Sequence, residues 1–593
     1  MRAWAVLTNT RRSRIAGLLV SGALLLSAGS VLPAQAAPAG SSTGRLDVAL
    51  LQQIDSLNPF TGISAPAQQI FGLTYDRLTD YRTTDNVPVP GLAESWQTSP
   101  DGRTWTFTIR RGVQWSDGQP LTAADIAFTY TTIMKQPTSV NAALVEAFTA
   151  VTAPADDTLV IKTSAPTPTM LSLDIPIVPE HVWRTRDPMG ELPAGTGTVG
   201  SGPFRLVEAR PGEQYRLERR AGHWRGTPGP AEVVLRHYTN SDAAAQALRT
   251  GEVDVVGNLT PAQFEALARE PAVATNEARG TRFTHLGFNP GAARADGTPI
   301  GDGNPALRDP RVRAAIEQAV DRRTLVDRVL LGHGDPGLAY FPPTYQPWAW
   351  TPATPSRPFD PVAAGRLLDE AGLRRGADGR RPLTLRLFAP AERVHYGQSA
   401  TFIREWLAAI GVTVMVTTMA DTKLGQRVRA GRYDMFLGGW ILDPDPAFLL
   451  SVQTCAARPD AAGNGTTDAF TCNPRWDDLY RRQSHELDTE RRVALVRQMQ
   501  QSLYETAALV PLYYPAVLEA YRRDHFQGLT RRPAASGSLV GAWSYVTATP
   551  VVPEAGAPRG HGALAGVGIA VAVLLGAAAF LVHRRRASRH LRE

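Results

Sequence analysis

Residues 104–109 alternate strictly between polar and apolar side chains. Threonines separate Trp105, Phe107 and Ile109, and this two-residue period predicts a β-strand with one buried face. The pair Asp101-Gly102 precedes the strand and predicts a turn, because glycine accepts a positive φ without steric cost.

A helical period follows this strand. Thr122 and Asp125 have the three-residue spacing of a capping box, which predicts a helix beginning just after Thr122. Four apolar residues at helical spacing complete the pattern, namely Ile126, Tyr130, Ile133 and Met134.

The rest of the chain repeats this alternation of short apolar runs and capped helices. Leu46 begins one such run, while Asp309-Pro310 and Asp360-Pro361 each place an N-cap residue before a proline at the first helical position. The pattern predicts an α/β architecture. Roughly 500 residues remain between the terminal segments, more than one core usually organises, so we expect two or three lobes.

The two ends of the chain have the composition of targeting segments. Residues 1–36 combine four arginines, an apolar stretch and an Ala34-Gln35-Ala36 cleavage site, which predicts a secretory signal peptide. Arg11-Arg12 leaves both the general and the twin-arginine export routes open. Residues 37–44 are small and polar and are expected to form a linker.

At the other end, residues 562–582 carry no charge and are long enough to cross a bilayer. We therefore expect a Pro/Gly/Ala-rich stalk over 547–561, a transmembrane helix over 562–582 and a basic cytoplasmic tail over 583–593. This topology places the main body outside the cytoplasm, at the cell membrane.

The formal net charge of +7 is explained by these ends. Residues 1–36 contain four arginines and no acid, and residues 583–593 contain five arginines and one glutamate. The body between them is close to neutral, which argues against a nucleic-acid partner.

The order and spacing of the segment over 91–134 resemble the family 5 solute-binding proteins of ABC importers, the peptide-binding group. The Gly200-Ser-Gly-Pro-Phe segment is similar to another segment of that family, and the resemblance covers about residues 45–530. It implies a type II periplasmic-binding-protein fold, with two α/β lobes, an extra domain and a ligand cleft between the lobes.

The resemblance also implies how the solute-binding domain, residues 45–546, is divided. The first lobe is expected from about 45–90, 200–305 and 525–547, the extra domain from about 91–199, and the second lobe from about 306–524.

The segment after Arg432 carries the expected ligand-binding residues. A short apolar run ends near Trp440, and an acid follows three residues later at Asp443. In the dipeptide-binding members such an acid pairs with the α-ammonium of the ligand, so the resemblance implies this role for Asp443, with Asp445 as the alternative. Trp440 offers a ring face to the ligand. Arg393 and His395 are candidates by position for a carboxylate-binding residue, and the choice stays open.

The only two cysteines are Cys455 and Cys472. In an exported chain an isolated pair is more typical of a disulfide than of a metal site, and the dipeptide-binding members have a similarly placed pair. We expect a disulfide that closes a polar loop.

Enzyme motifs occur in unsuitable places. Residues 40–44 match G-x-S-x-G but lie in the linker, and residues 195–200 match G-x-G-x-x-G without a following helix. The sequence has no HExxH motif or Cys/His cluster, so we expect no catalytic residue, cofactor or metal.

These observations together predict a monomeric extracytoplasmic receptor that captures di- or oligopeptides and delivers them to an ABC permease with its ATPase subunits. The alternatives are a different solute (a nickel chelate, a sugar or haem), peptide sensing without import and, more remotely, a secreted hydrolase.

Overall fold

The two elements expected from the sequence over 91–134 are present in the computed structural model, which describes residues 44–192, 198–352 and 357–552. The strand spans Thr104–Ile109 with its aromatic and aliphatic side chains buried. The helix spans Ala123–Met134, and Thr122 and Asp125 form the capping box.

The described residues contain twenty-one strands. In chain order they are β1 (Arg45–Leu50), β2 (Thr79–Tyr81), β3 (Pro88–Pro90), β4 (Ala93–Thr98), β5 (Thr104–Ile109), β6 (Phe148–Ala155), β7 (Thr158–Thr163), β8 (Phe204–Arg210), β9 (Gln214–Arg219), β10 (Glu232–His237), β11 (Val255–Val256), β12 (Val273–Ala278), β13 (Arg282–Phe288), β14 (Gly334–Pro336), β15 (Thr384–Pro390), β16 (Thr413–Met419), β17 (Met435–Ile441), β18 (Leu509–Pro515), β19 (Val517–Arg522), β20 (Phe526–Gln527) and β21 (Thr549–Pro550).

The same residues contain fourteen α-helices. They are α1 (Ala65–Thr74), α2 (Ala123–Met134), α3 (Glu180–Trp183), α4 (Ser241–Thr250), α5 (Pro261–Leu267), α6 (Pro310–Gln318), α7 (Arg322–Arg328), α8 (Pro361–Glu370), α9 (Val394–Ala409), α10 (Asp421–Arg429), α11 (Ala447–Ser451), α12 (Pro474–Gln483), α13 (Thr489–Glu505) and α14 (Ala542–Tyr545).

Three sheets organise these elements. The first lobe is built on a seven-stranded sheet in the order β12-β19-β11-β1-β10-β9-β8, and the second lobe on a six-stranded sheet in the order β14-β18-β13-β17-β15-β16. Parallel pairs lie at the centre of the first sheet and at one side of the second, where β15 pairs with β16 and β17. A four-stranded antiparallel sheet, β4-β5-β7-β6, lies within the range 91–199 that was expected to form the extra domain.

The chain crosses between the two large sheets at two points. Residues 279–281 connect β12 of the first sheet to β13 of the second, and Ala516 connects β18 of the second sheet to β19 of the first. The sequence placed 282–288 in the first lobe and 517–522 in the second, and both placements are wrong, because each strand pairs in the opposite sheet. Hydrophobic periodicity identifies a strand but not the sheet in which it pairs.

The expected terminal segments lie mostly outside the described residues. These are the signal peptide 1–36, nearly all of the linker 37–44, the transmembrane helix 562–582 and the tail 583–593. Among the described residues, no helix combines the length and apolar character needed to cross a membrane. Thr549 and Pro550, which the sequence placed in the stalk, instead pair with β20.

The Gly200-Ser-Gly-Pro-Phe segment packs against the end of α1. The Gly202 amide donates to the Thr74 carbonyl at 2.9 Å, and the Asp76 amide donates to Ser201 Oγ at 2.8 Å. A Cβ atom at position 200 would lie 2.0 Å from the Thr74 carbonyl oxygen. Close approach of two backbones therefore requires glycine here.

We expect Gly200→Ala to lower the free energy of unfolding by about 2 kcal/mol or more, because the obstructing atom belongs to the backbone. Urea unfolding of the two variants measures the effect. The control is Gly365→Ala within α8, where the new Cβ meets only Arg381 Nη2 at 3.5 Å and helix propensity favours alanine by up to ~1 kcal/mol. Equal unfolding midpoints for the two variants would contradict the packing argument.

Cys455 and Cys472 form a disulfide, with Cα atoms 4.4 Å apart. The bond closes a loop with a sequence separation of 17 residues.

We expect the double variant Cys455→Ser/Cys472→Ser to lose about 3 kcal/mol of stability, the chain-entropy value for a loop of this length. A urea midpoint identical to that of the parent protein would exclude a stabilising role for the bond.

Candidate functional site

A cavity of about 850 Å³ lies between the two lobes. Residues 258–261 and 517–518 form its first-lobe wall, while most of the remaining wall comes from β13, β17 and the start of α9. A cavity of this size between lobes is typical of a small-ligand site.

Trp440 and Asp443 both line this cavity. Trp440 lies in β17, and Asp443 follows the end of that strand by two residues. The loop is held by two aromatic side chains, because Tyr345 Oη donates to the Asp443 carbonyl and Trp348 Nε1 donates to the Pro444 carbonyl at 3.1 Å. These bonds use backbone carbonyls, so neither engages the carboxylate of Asp443, which lines the cavity.

No described side chain donates a hydrogen bond to the Asp443 carboxylate. Asp443 is in contact with solvent in the cavity, but protein atoms on most sides displace the more distant water. This partial burial, followed by the negative charges of Asp174 and Asp445, raises the pKa of Asp443 to about 6. The Asp443 carboxylate can therefore bind a cation, and no described residue supplies one.

Asp445, the alternative acid, is engaged within the second lobe. Arg492 Nη1 and Nη2 donate to its two carboxylate oxygens at 2.6 and 2.8 Å, and the Ala447 amide donates to Oδ1 at 2.9 Å at the start of α11. Both ion-pair side chains are largely buried. The structure thus separates two neighbouring acids, and Asp443 is the one available to a ligand.

Trp440 is held by an acid that the sequence analysis did not select. Its Nε1 donates to Asp468 Oδ2 at 2.9 Å, and its ring packs edge-on against Phe448. Asp468 lies in the loop closed by Cys455 and Cys472. The disulfide loop could have suggested a supporting role, but no local pattern identifies which of its acids faces Trp440.

Positive groups cluster elsewhere in the same cavity. Arg282, Arg393 and His395 all line it, and among the described residues neither arginine forms an ion pair. Arg393 donates to Tyr396 Oη at 3.3 Å, whereas the buried Nε of Arg282 has no hydrogen-bond partner. Burial, and then the charges of Arg393 and Arg282, lower the pKa of His395 to about 4, so the imidazole is neutral near pH 7.

Arg282 was missed because it begins β13, a strand that was assigned to the first lobe and in which no local pattern marks a binding residue. Arg393 and His395 were left open, and both lie in the cavity that contains Asp443. Glu392 also lines the cavity, and its carboxylate accepts a hydrogen bond from the Asp421 amide. The cavity therefore carries acids without a cation and two guanidinium groups without a carboxylate.

One group of metal-ligand residues occurs in the described part of the chain, formed by Cys455, Cys472 and Asp477. Its sulfur atoms are joined in the disulfide, and Asp477 Oδ1 accepts a hydrogen bond from the Cys455 amide at 3.1 Å. The group is accounted for by these bonds.

Comparison with known proteins identifies the relatives of this chain. It is 25% identical over 558 residues to the peptide transport periplasmic protein SapA of Salmonella typhimurium, covering 89% of this chain and 96% of that protein.

Two solved structures share its fold. NikA from Brucella suis in complex with Fe(III)-EDTA gives a TM-score of 0.73 at 23% identity, covering 86% of this chain and 100% of the other. DppA from Helicobacter pylori in complex with the peptide STSA gives 0.68 at 23% identity, covering 85% and 98%. Both likenesses show the two-lobed α/β fold of periplasmic binding proteins.

The family comparison agrees with the fold. Residues 87–458 match the model of the bacterial extracellular solute-binding proteins, family 5 middle region. This match covers more than half of the 593 residues. The chain therefore belongs to the bacterial extracellular solute-binding proteins of family 5.

Proposed function

We propose that this protein is the extracytoplasmic receptor of an ABC importer and that it captures short peptides between its lobes. The observation that supports this best is the presence of opposite charges without ion-pair partners in one cavity, the carboxylate of Asp443 and the guanidinium groups of Arg282 and Arg393. A peptide with free ends carries an ammonium and a carboxylate, and thus matches both.

The proposed pose follows from charge complementarity. The α-ammonium pairs with Asp443, while the α-carboxylate accepts hydrogen bonds from Arg393 and from the neutral imidazole of His395. Guanidinium–carboxylate pairs are strong because two parallel hydrogen bonds form. Trp440 supplies an aromatic wall beside the ammonium. The protein contributes binding and closure and carries out no covalent chemistry.

The relatives support a peptide ligand. SapA is named a peptide transport protein, and the DppA structure holds a peptide. The NikA structure instead holds Fe(III)-EDTA, so a metal chelate is the principal competitor. An anionic chelate would use the arginines but would leave the Asp443 carboxylate unpaired, and the cavity therefore favours a zwitterionic peptide.

We also propose the topology that the sequence indicates. A signal peptide over 1–36 directs export, a helix over 562–582 anchors the receptor, and the basic residues of 583–593 remain inside the cell. The fold is then a type II binding protein tethered beside its permease and ATPase partners. It acts as a monomer that closes by movement about the two crossings.

Asp443→Asn should weaken dipeptide binding at least tenfold without lowering the melting temperature of the unliganded protein, because the carboxylate supports no internal contact and its ionised form is repelled by Asp174 and Asp445. Removing one partner of a buried charge pair costs about 2–5 kcal/mol. Isothermal titration calorimetry with Ala-Ala gives the affinity.

Asp445→Asn is the matched control. It should lower the melting temperature, because Arg492 then remains buried without its ionic partner. Unchanged dipeptide affinity in Asp443→Asn would show that Asp443 does not bind the ligand. Tight binding of a metal chelate, with no binding of peptides, would show that the ligand is a chelate.

Dipeptide affinity should fall on acidification from about pH 7.5 to pH 5. The ammonium requires ionised Asp443, whose pKa is about 6 in the unliganded protein, so binding lowers this pKa and releases a proton. The attraction between ionised Asp443 and the ammonium is fully present well above pH 6 and is lost as the pH falls through that value. The affinity then decreases by at most about tenfold per pH unit. His395, with a pKa of about 4, stays neutral in this range.

Titration calorimetry in two buffers of different ionisation enthalpy measures the released proton directly. In Asp443→Asn both the proton release and the pH dependence between pH 5 and pH 7.5 should disappear. An affinity that rises on acidification would contradict this assignment.

A further inference from the structure

A second cavity of about 400 Å³ adjoins the first. The two share Arg393, Tyr396, Gly439, Trp440 and Phe448. We call the second cavity the side pocket. It extends from Trp440 towards one face of α10 and the disulfide loop, and the peptide site described above does not use it.

Asp468 is the buried acid of the side pocket, with 8% of the residue exposed. Its oxygens accept hydrogen bonds from Trp440 Nε1 and Gln453 Nε2, each at 2.9 Å. Both donors are neutral, and no arginine or lysine among the described residues lies within ion-pair distance of this carboxylate. Buried carboxylates are normally paired with a cation, because burial without one is costly.

His285 lies beside Asp468, with Nε2 3.6 Å from Oδ2. The residue is 1% exposed, and neither ring nitrogen has a hydrogen-bond partner among the described residues. Burial lowers the pKa of His285 despite the nearby carboxylate, so the ring is neutral near pH 7 and does not cancel the charge of Asp468. Asp468 thus has no cationic partner, and the neighbouring His285 has no hydrogen-bond partner, among the described residues.

The other walls suit an aliphatic stem. Leu424, Val428 and Phe436 line the pocket, and Trp440 presents an indole beside the carboxylate. Asp421 and Arg429 also line it from α10 with opposite charges, so together they add no net charge. Arg393 lies where the two cavities meet and pairs with the ligand carboxylate in the pose proposed above, so Asp468 is the buried acid left within the side pocket for a cation.

We propose that the side pocket binds a basic side chain of the peptide, with its cationic head paired to Asp468 and hydrogen-bonded to His285. The methylene stem packs on the apolar wall, and Trp440 covers the cation. This proposal rests on the proposed peptide-binding function and specifies the class of peptide: one that carries lysine or arginine.

The test compares lysine with norleucine, which keeps the stem and lacks the ammonium. Four dipeptides (Ala-Lys, Ala-norleucine, Lys-Ala and norleucine-Ala) are titrated into the full chain in detergent micelles. We expect at least one lysine peptide to bind about tenfold or more tightly than its norleucine partner, because a site built for a polar group discriminates against an analogue without it. Equal or weaker binding of both lysine peptides would overturn the proposal without touching the peptide-binding function.

Variants locate the effect. Asp468→Asn should abolish the preference for lysine, so that each lysine peptide binds no more tightly than its norleucine partner, whereas Asp443→Asn should weaken lysine and norleucine peptides by the same factor. If Asp468→Asn weakens all four peptides equally, then Asp468 binds the α-ammonium and the side-chain assignment is wrong. If none of the four binds to the parent protein, the peptide function itself fails. The comparison on the parent protein needs no variant, so a folding defect in Asp468→Asn leaves the test intact.

Discussion

The molecule depends on two short chain crossings between its large sheets. Residues 279–281 and Ala516 connect strands of different lobes, and Arg282 begins β13 immediately after the first crossing. Pro515 to Leu518, around the second crossing, line the same cavity as Arg282. The cavity is therefore built beside the segments that join the lobes, so a ligand in it would contact both lobes and the segments about which the proposed closure occurs.

The rigid part of the site depends on the different roles of two neighbouring acids, Asp445 and Asp443. Arg492 binds Asp445 from α13, and the Ala447 amide binds the same carboxylate. This buried pair fixes the Asp-Pro-Asp-Pro loop, so Asp443 is presented to the cavity without using its own carboxylate for folding. A stable structural acid next to an unsatisfied one is the arrangement that a preorganised cation site requires.

Local pattern predicted much of the fold and part of the site. The capping box at Thr122, the alternation around Trp105 and the glycine-rich segment at Gly200 each specify structure within a few residues, and sequence was sufficient for them. Strand pairing in β13 and β19 depends on contacts between distant parts of the chain, so the lobe boundaries were misplaced. Arg282 and Asp468 were missed for the same reason, because their roles exist only once β13 and the disulfide loop meet β17.

The repulsion between the negative charges of Asp174 and Asp443 has a consequence for the protein without a ligand. Asp174 belongs to a segment that packs with the extra domain, and Asp443 belongs to the second lobe. Two like charges that face each other across a cleft repel more strongly as the cleft narrows and loses water. In the proposed closure this repulsion, which acts although Arg77 pairs with Asp174, would oppose narrowing of the cleft in the empty protein, and a bound cation would reverse its sign. Closure would then be governed by occupancy rather than by the intrinsic preference of the lobes.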